Sequence, residues 1–425
     1  MLDVLVVGAG SAGAMAAWQC ARRGMSVRCV DARSLDVAGA RWVNGVSEAA
    51  LRDLGIERPD PPHALVGDTM HMIAGWGPER ISVSDTGLLE LDMRWLVREL
   101  QGRAVQAGAQ LGVGRVGNVE QYDDFVEVTI GEQKVRTRFM IDAAGLRGPT
   151  ALRVHRRDLC VAAQEERQLV DPGAAHEWLV DRAVRPGEVS SHTGVAGGYS
   201  IVNVSVHLPD DDGPGRVSLL TGSMPAYGHA AGTVLLRRFV QDNQWIGPKI
   251  SGGSRAIPVG LPPVRLDVGR VARVGDSAGQ VYAMHGSGTV PGMVAATLLA
   301  QILDDGGSPW EYTVAWQRQH GPSMASAAVF QAHSRTLSTQ DLRSLIRAGL
   351  MHSELVRAGL QQQRPSMSPG LLLTLASRVL RAPRAGARLL PVVKRMGAAE
   401  RLWSAYPAEK AALSAWSDRR RALLG

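Results

Sequence analysis

The order of the opening residues limits this chain more than any other stretch. Leu2–Val7 is an apolar run that leads into Gly8-Ala9-Gly10-Ser11-Ala12-Gly13. Helix-forming residues follow to Arg23, then a β-like run, Met25–Val30, ends on Asp31. Strand, glycine turn, helix, strand, acid is the order that holds a dinucleotide. Gly8 makes the tight turn, Gly10 leaves room for the pyrophosphate, and Gly13 lets helix and strand pack closely. Free N–H groups at the helix start, from Ser11 and Ala12 onward, face the phosphates. Asp31 is placed to accept from an adenosine ribose, with Ala32 and Arg33 beside it. Its charge would repel a 2′-phosphate, so FAD or NAD fits this turn better than NADP.

Composition narrows the class. A chain of 425 residues with 45% hydrophobic content can bury a sizeable core. Cys20, Cys29 and Cys160 show no metal spacing, and an odd count argues against a disulfide framework. The histidines also lack ligand spacing, so no metal is expected. Asp3 interrupts the apolar start and no basic region precedes it, so it reads as a buried strand and not a signal peptide. No apolar run reaches the roughly 18 residues of a spanning helix, and a reducing cytoplasm is the simplest compartment. The net charge of +7 is uneven: Ser334–Gly425 holds 16 Lys/Arg and 5 Asp/Glu, which is +11, leaving the rest at +7 − 11 = −4. No nucleic-acid-binding motif accompanies the basic tail. An anionic membrane surface, an acidic partner or a solvated face are the readings left.

Three regions follow from the pattern. Residues 1–150 and 255–330 read as a discontinuous α/β, Rossmann-like cofactor domain with a parallel sheet. In it, Val46–Gly55 reads as a short helix, Asp60–Pro78 as loops and short strands, and Leu91–Gly108 as an amphipathic helix with Leu96, Leu100 and Ala104 on one face. Strand-like runs come at Leu111–Val119 and Phe125–Ile130. Residues 151–254 carry alternating segments such as Tyr199–Leu208 and Arg216–Leu220, an antiparallel substrate sheet, with Val234–Asn243 helical. Val268–Val274 reads as a strand, and Pro291 as the opening of a helix over Gly292–Leu303. Residues 331–425 form a basic helical region, broken at Pro365, Pro369, Pro383 and Pro391.

A second motif sits far downstream. The run from Arg273 to Leu303 (RVGDSAGQVYAMHGSGTVPGMVAATLLAQIL) resembles the flavin-holding segment of glutathione-reductase-type FAD oxidoreductases. Among these it is most similar to geranylgeranyl reductases, aromatic hydroxylases and flavin-dependent halogenases. The resemblance spans about residues 1–330. It implies FAD as cofactor, Gly275 and Asp276 at the ribityl chain or a phosphate, and Gly286, Ser287, Gly288 and Thr289 against the isoalloxazine edge. Ser251–Gly260 resembles the Gly…Ile-Pro-x-Gly segment of geranylgeranyl-reductase-like proteins, and Ile141–Gly148 their Asp-Ala-x-Gly turn, which adds Gly145. Val116 is a further cofactor-binding candidate. Arg94 and Arg41 are candidates for phosphate charge, each equally readable as a solvated arginine. The halogenases' lysine near residues 70–80 is missing, since the first lysine is Lys134. The reductases' Cys-Gly is replaced by Asn44-Gly45.

Candidate chemistry is sparse, as expected where a flavin supplies it. His285 stands in the flavin-edge loop, either as an acid or donor near the ring or as a loop histidine bonding carbonyls. Asp68 with His71 offers a weak dyad, while Trp76 and Trp245 read as core aromatics or as stacking platforms. The leading expectation is an FAD-dependent oxidoreductase acting on a bulky hydrophobic small molecule, as in geranylgeranyl reductases. NAD(P)H or a separate flavin reductase would supply electrons, since no second GxGxxG is present. The alternatives are an FAD monooxygenase using NAD(P)H and O2, a halogenase-like enzyme, and a flavin-binding docking protein without turnover. Leu371–Met396 interleaves Leu/Val with Arg/Lys, as a helix pair on an anionic membrane would. A helical bundle capping the site is the rival.

Overall fold

A computed structural model describes residues 1–209, 213–363, 374, 377–379 and 382–424. The first half runs β1 (Leu2–Val7), α1 (Ser11–Ala21), β2 (Val27–Asp31), β3 (Val43–Ser47), α2 (Glu48–Asp53), β4 (Ala64–Ala74), β5 (Arg80–Asp92), α3 (Met93–Gln106), β6 (Gln110–Val113), β7 (Val116–Gln121), β8 (Val126–Ile130) and β9 (Gln133–Asp142). Next come β10 (Leu159–Leu169), α4 (Pro172–Asp181), β11 (Val189–Thr193), β12 (Ser200–His207), β13 (Arg216–Ser223), α5 (Gly232–Asp242), β14 (Ile246–Pro258), β15 (Asp267–Val268) and β16 (Val271–Arg273). The rest is helical: α6 (Thr289–Asp304), α7 (Pro309–Gln319), α8 (Gly321–Ser334), α9 (Thr339–Arg347), α10 (Ser353–Leu360), α11 (Pro383–Ser404) and α12 (Leu413–Leu424).

The first sheet is the expected parallel one. Its order is β15-β16-β9-β1-β2-β6, with β7 and β8 folding back antiparallel onto β9. β1 pairs in parallel with both β2 and β9, so Val4–Val7 is covered on both sides and on both faces. α1 is buried over most of its length because α3 and α6 flank it, which explains its run of Ala14, Ala16 and Ala17.

The second sheet has eight strands in the order β14-β10-β13-β12-β11-β4-β5-β3. It corrects two expectations. It is mixed and not wholly antiparallel, because β11 pairs with β4 in parallel. It also recruits β3, β4 and β5 from the region assigned to the cofactor domain; of these, β4 lies where loops and short strands were expected. β4 and β5 are long, 11 and 13 residues. A register shift between Gly67 and Thr69 inverts the phase of the apolar alternation, which concealed both strands. One face is packed under α4 and α5 by Trp178, Phe239, Val202, Val204, Val217 and Leu219.

Smaller corrections have local causes. α3 begins at Met93, because Leu91 still belongs to β5 and Asp92 caps the helix by accepting from the Arg94 N–H. The Val268–Val274 run is a strand only over Val271–Arg273 (β16), because Gly269 with φ of 58° turns the chain back from β15. Pro391 does not break the chain but lies inside α11, on its exposed side, where the carbonyl it leaves unpaired can reach water. Pro365, Pro369 and the start of the Leu371–Met396 stretch lie outside the described residues. Among the described residues no helix is long and apolar enough to cross a membrane.

Candidate functional site

The glycine turn after β1 is built so tightly that side chains are excluded. Gly8 has φ of 101°, and a Cβ there would lie 2.5 Å from the Ala143 carbonyl oxygen. A Cβ on Gly13 would lie 1.8 Å from the Gly8 oxygen, and one on Gly10 would lie 3.1 Å from Gly39 Cα. Gly10 is the N-cap of α1 and supplies no side-chain acceptor, which leaves the N–H groups of Ser11, Ala12 and Gly13 aimed out of the helix start. Asp31 accepts from the Ala9 N–H at 3.0 Å and from the Arg33 N–H at 2.9 Å. The acid therefore clamps the loop, with Ala32 and the exposed Arg33 next to it. The Gly114 N–H bonds the Asp31 carbonyl at 2.8 Å, which brings the start of β7 and Val116 to the same edge.

Sequence reading missed Gln101. From the buried side of α3 its amide donates to the carbonyls of Ala9 at 2.9 Å and Leu35 at 3.1 Å, and so fixes the loop from behind. Arg94 and Val97 share that helix face by their spacing, and Val97 abuts Gly39. The Arg94 guanidinium is exposed and turned onto Asp92 at 3.2 Å, and Arg41 is exposed.

The downstream motif meets this turn. Gly275, with φ of 68°, would place a Cβ 3.1 Å from Ala12 Cβ, and a Cβ on Gly292 would lie 3.2 Å from both Ala12 Cβ and Gly275 Cα. The starts of α1 and α6 therefore converge on one point. α6 opens at Thr289 and not at Pro291; its N-cap, Gly288, again leaves the first N–H groups without a side-chain partner. Pro291 sits in the first turn, where its missing N–H removes no helix bond. Gln280 holds the Gly275 N–H at 2.7 Å and the Tyr312 hydroxyl at 2.6 Å, a second anchor that sequence reading missed.

Asp276 carries a partner from another element. Its carboxylate lies 3.1 Å from an Arg255 guanidinium nitrogen, and a Cβ on Gly145 would sit 2.9 Å from that same group. The Gly145 turn, Arg255 of β14 and Asp276 are thus adjacent. Asp142 supports the turn with bonds from Ala144 and Thr150; burial nevertheless pushes its carboxyl above the usual range.

The flavin-edge loop closes on itself, Tyr282 N–H to Ser287 carbonyl and Gly286 N–H to Tyr282 carbonyl, both at 2.9 Å. Gly286 adopts φ of 74° and faces Ile257 and the Tyr199 hydroxyl. Tyr199 in turn donates to the Ala283 carbonyl at 3.2 Å. His285 places Nε2 3.0 Å from the Gly359 carbonyl at the end of α10, and burial brings its pKa down to about 4. A neutral ring with its proton on Nε2 satisfies that carbonyl, so the histidine ties α10 to the loop.

Other candidates fall elsewhere. His71 bonds Glu188 at 2.9 Å and Ser82 at 2.8 Å, while Asp68 is exposed, so no Asp68–His71 dyad forms. Trp245 is buried in the core under α4 and α5, but Trp76 is not a core residue: it is 50% exposed and stacked on Phe239 at 5.8 Å. The three thiols are buried and pushed up to about 12, which keeps them unreactive.

The residues fit FAD. Glycines at the close approaches, two uncapped helix starts and an acid at each end match its adenosine, pyrophosphate and ribityl–flavin parts. The comparisons agree. Residues 1–172 match a family described as FAD binding domain. The chain is 29% identical over 385 residues, 81% of its length and 90% of the relative's, to digeranylgeranylglycerophospholipid reductase 2 of Methanopyrus kandleri. Its fold matches a geranylgeranyl bacteriochlorophyll reductase-like protein from Thermoplasma acidophilum with a TM-score of 0.69 at 17% identity, covering 92% of this chain and 99% of that one. It also matches halogenase PltM in complex with phloroglucinol and FAD, with a TM-score of 0.62 at 15% identity, covering 100% and 93%. With its two glycine turns closing on a single point and an FAD binding domain matched over residues 1–172, the chain is an FAD-dependent oxidoreductase.

Proposed function

We propose that this flavoenzyme reduces carbon–carbon double bonds of a bulky isoprenoid-type molecule lying along the free face of the second sheet. The observation that carries this reading is the composition of that face. Residues opposite one another across a ladder share a face, which sets Ala162, Gly222 and Ile201 in one row, Leu220 and Met72 with Gln164, Asn203 and Ser191 in the next, and Met70 and Val83 with Glu166, Ser218 and Ser205 beyond, so that the apolar track runs toward β4 and β5. All lie on the side away from Trp178 and Phe239 and begin at Ile257 and Tyr199, against the Gly286 loop. A long apolar chain can therefore start at the flavin edge and run over methionine and aliphatic side chains. The relative's name supplies the matching class of substrate.

The flavin, when bound, supplies the hydride chemistry. Each double bond gains one hydride and one proton, with two electrons drawn from NAD(P)H or from a separate flavin reductase. The protein orients the cofactor through Asp31, Asp276 and the two helix starts. Burial holds the Tyr199 phenol protonated, well above its ordinary range. FAD-loaded protein, reduced anaerobically and given geranylgeraniol, should return a product heavier by two hydrogens per double bond. Oxygen insertion, seen only in air and with NAD(P)H, would instead select the monooxygenase reading.

Membrane access suits such a substrate. α11 buries Val392, Ala399 and Trp403 against its neighbours and exposes Leu390 and Val393 beside Arg388, Lys394 and Arg395. We assign this strip to an anionic lipid surface. Flotation with phosphatidylserine vesicles should retain the protein at low salt and release it at high salt, and no retention at low salt contradicts the assignment.

A further inference from the structure

We infer that α10 is the movable wall of an enclosed substrate track and that His285 latches it shut. The inference rests on the placement of the substrate along the free face of the second sheet.

That face is the inside of a curl. On a flat sheet, six strand spacings of about 4.8 Å would set β10 roughly 29 Å from β3. Instead the Gln164 amide of β10 donates directly to the Val43 carbonyl of β3. A Cβ on Gly253 of β14 would lie 3.3 Å from the Trp42 ring, just before β3. Glu90 of β5 lies 3.5 Å from His207 of β12, although three strand spacings separate them. The two edges of the sheet therefore approach one another, and the face between them becomes a lining.

At the Tyr282–Ser287 loop a helix, not a strand, completes the curl. β3 pairs with β5 only from Leu88 to Asp92, so Ser84 and Thr86 present an open edge. α10 covers it. The Arg357 guanidinium donates to the Ser84 carbonyl at 3.0 Å, and the Gln361 amide, just past the helix, to the Thr86 carbonyl at 3.1 Å. On its other side the Gly359 carbonyl takes His285 Nε2 at 3.0 Å, and a Cβ on Gly359 would lie 3.1 Å from Met284 Sδ. The helix thus spans from the loop to β5, beside Val83 and Met70 of the apolar track.

α10 is held differently from its neighbour. α9 buries Leu342 and Leu345 in a cluster with Ala74 of β4, whereas α10 fully buries only Gly359, which has no side chain to pack. Its hold is three hydrogen bonds from side chains to backbone carbonyls, and water replaces each of them on opening. Local opening is easiest where few apolar contacts are buried, and lids over enclosed sites open and close in this way. Leu389 of α11 packs against the same α9 cluster, next to the exposed Leu390. The wall that opens therefore adjoins the strip assigned to lipid, from which an isoprenoid would arrive.

The test uses the full chain loaded with oxidised FAD, with geranylgeraniol as the probe and the flavin absorption band as the signal of entry. Gln361→Leu and His285→Ala each remove one latch bond. In each, the amides of Val356–Leu360 should exchange with deuterium about tenfold faster, the step that one hydrogen bond corresponds to, while those of α1 and α6 stay unchanged. Geranylgeraniol should enter faster after rapid mixing, by up to about tenfold, as the open population rises. Ser84→Cys with Gln361→Cys, joined by a reducible bismaleimide, ties α10 to β5; the native thiols are buried and do not compete. Entry should slow at least about tenfold in the tied chain and recover when the linker is cut, since association waits on the opening. A merely structural role for the latch would not move entry in opposite directions. Equal entry with the linker closed and cut overturns the inference, as does indifference of exchange and entry to both latch substitutions. A band that no form changes on mixing removes the track and the wall together. Double-bond reduction is scored separately. Opposite shifts in entry with no reduced product keep the wall and sink the reductase reading, and product formed equally with the linker closed and cut does the reverse.

Discussion

Asp276 and Arg255 show how one side chain can hold another in place. The guanidinium keeps the carboxylate pointed toward the Gly145 turn, and neither residue is fully buried. Replacing Arg255 with Gln removes the charge that orients Asp276 and should weaken FAD about tenfold by titration calorimetry, with Arg255→Lys recovering part of it. A second residue-level effect concerns histidines. His192, buried and bonded to the Gly75 carbonyl at 2.9 Å, and His285 both have pKa values of about 4 against an ordinary 6.5. Above pH 6.5 both folded and unfolded forms are neutral. Between pH 6.5 and 4 the unfolded chain takes up protons that the folded chain refuses, so stability falls as pH falls. Urea melts at pH 7.5 and 5 should show that loss shrinking in His192→Asn, whose amide can still donate to Gly75. An unchanged loss contradicts the assignment. The tight turn at Gly8 and the close packing at Gly13 were legible because they are local backbone constraints. Gln101 and Arg255 were not, because the groups they hold, such as the Ala9 carbonyl 92 residues from Gln101, lie far away along the chain.

Among elements, the meeting of α1 and α6 decides whether the site forms. Ala12, Gly275 and Gly292 touch there with no room for branching. Gly292→Val should lower stability by about 1–3 kcal/mol through overpacking and abolish FAD uptake. Gly102 offers the contrast, since it is exposed within α3 and a Cβ there meets nothing within 4 Å. Gly102→Ala should raise stability by about 0.5–1 kcal/mol and leave FAD binding untouched. Thermal melts with and without FAD check both. α3 was readable because its buried face recurs with helical spacing. β4 and β5 were not, because the irregularity between Gly67 and Thr69 reverses which alternate residues are buried. The start of α6 was misplaced for another reason: Pro291 suggests a first helical position, whereas the uncapped Gly288 sets the true one.

Across the whole molecule, the two sheets and the helical region meet at the Tyr282–Ser287 loop. The first sheet presents the Gly8–Gly13 turn, Ile257 at the end of the second sheet abuts Gly286, and α10 is tied to the Tyr282–Ser287 loop by His285. The assignment of cofactor followed from sequence because both motifs are contiguous strings. The proposed substrate lining did not, because it is assembled from β4, β5 and β10–β13, each giving every second residue. FAD titrated into flavin-free protein tests the convergence of the two turns most directly. The account predicts one FAD per chain, with Asp31→Ala and Asp276→Ala each weakening it about tenfold or more and the double variant weakening it by nearly the product of the two. Failure to take up FAD, or an affinity that ignores Asp276→Ala, would contradict it.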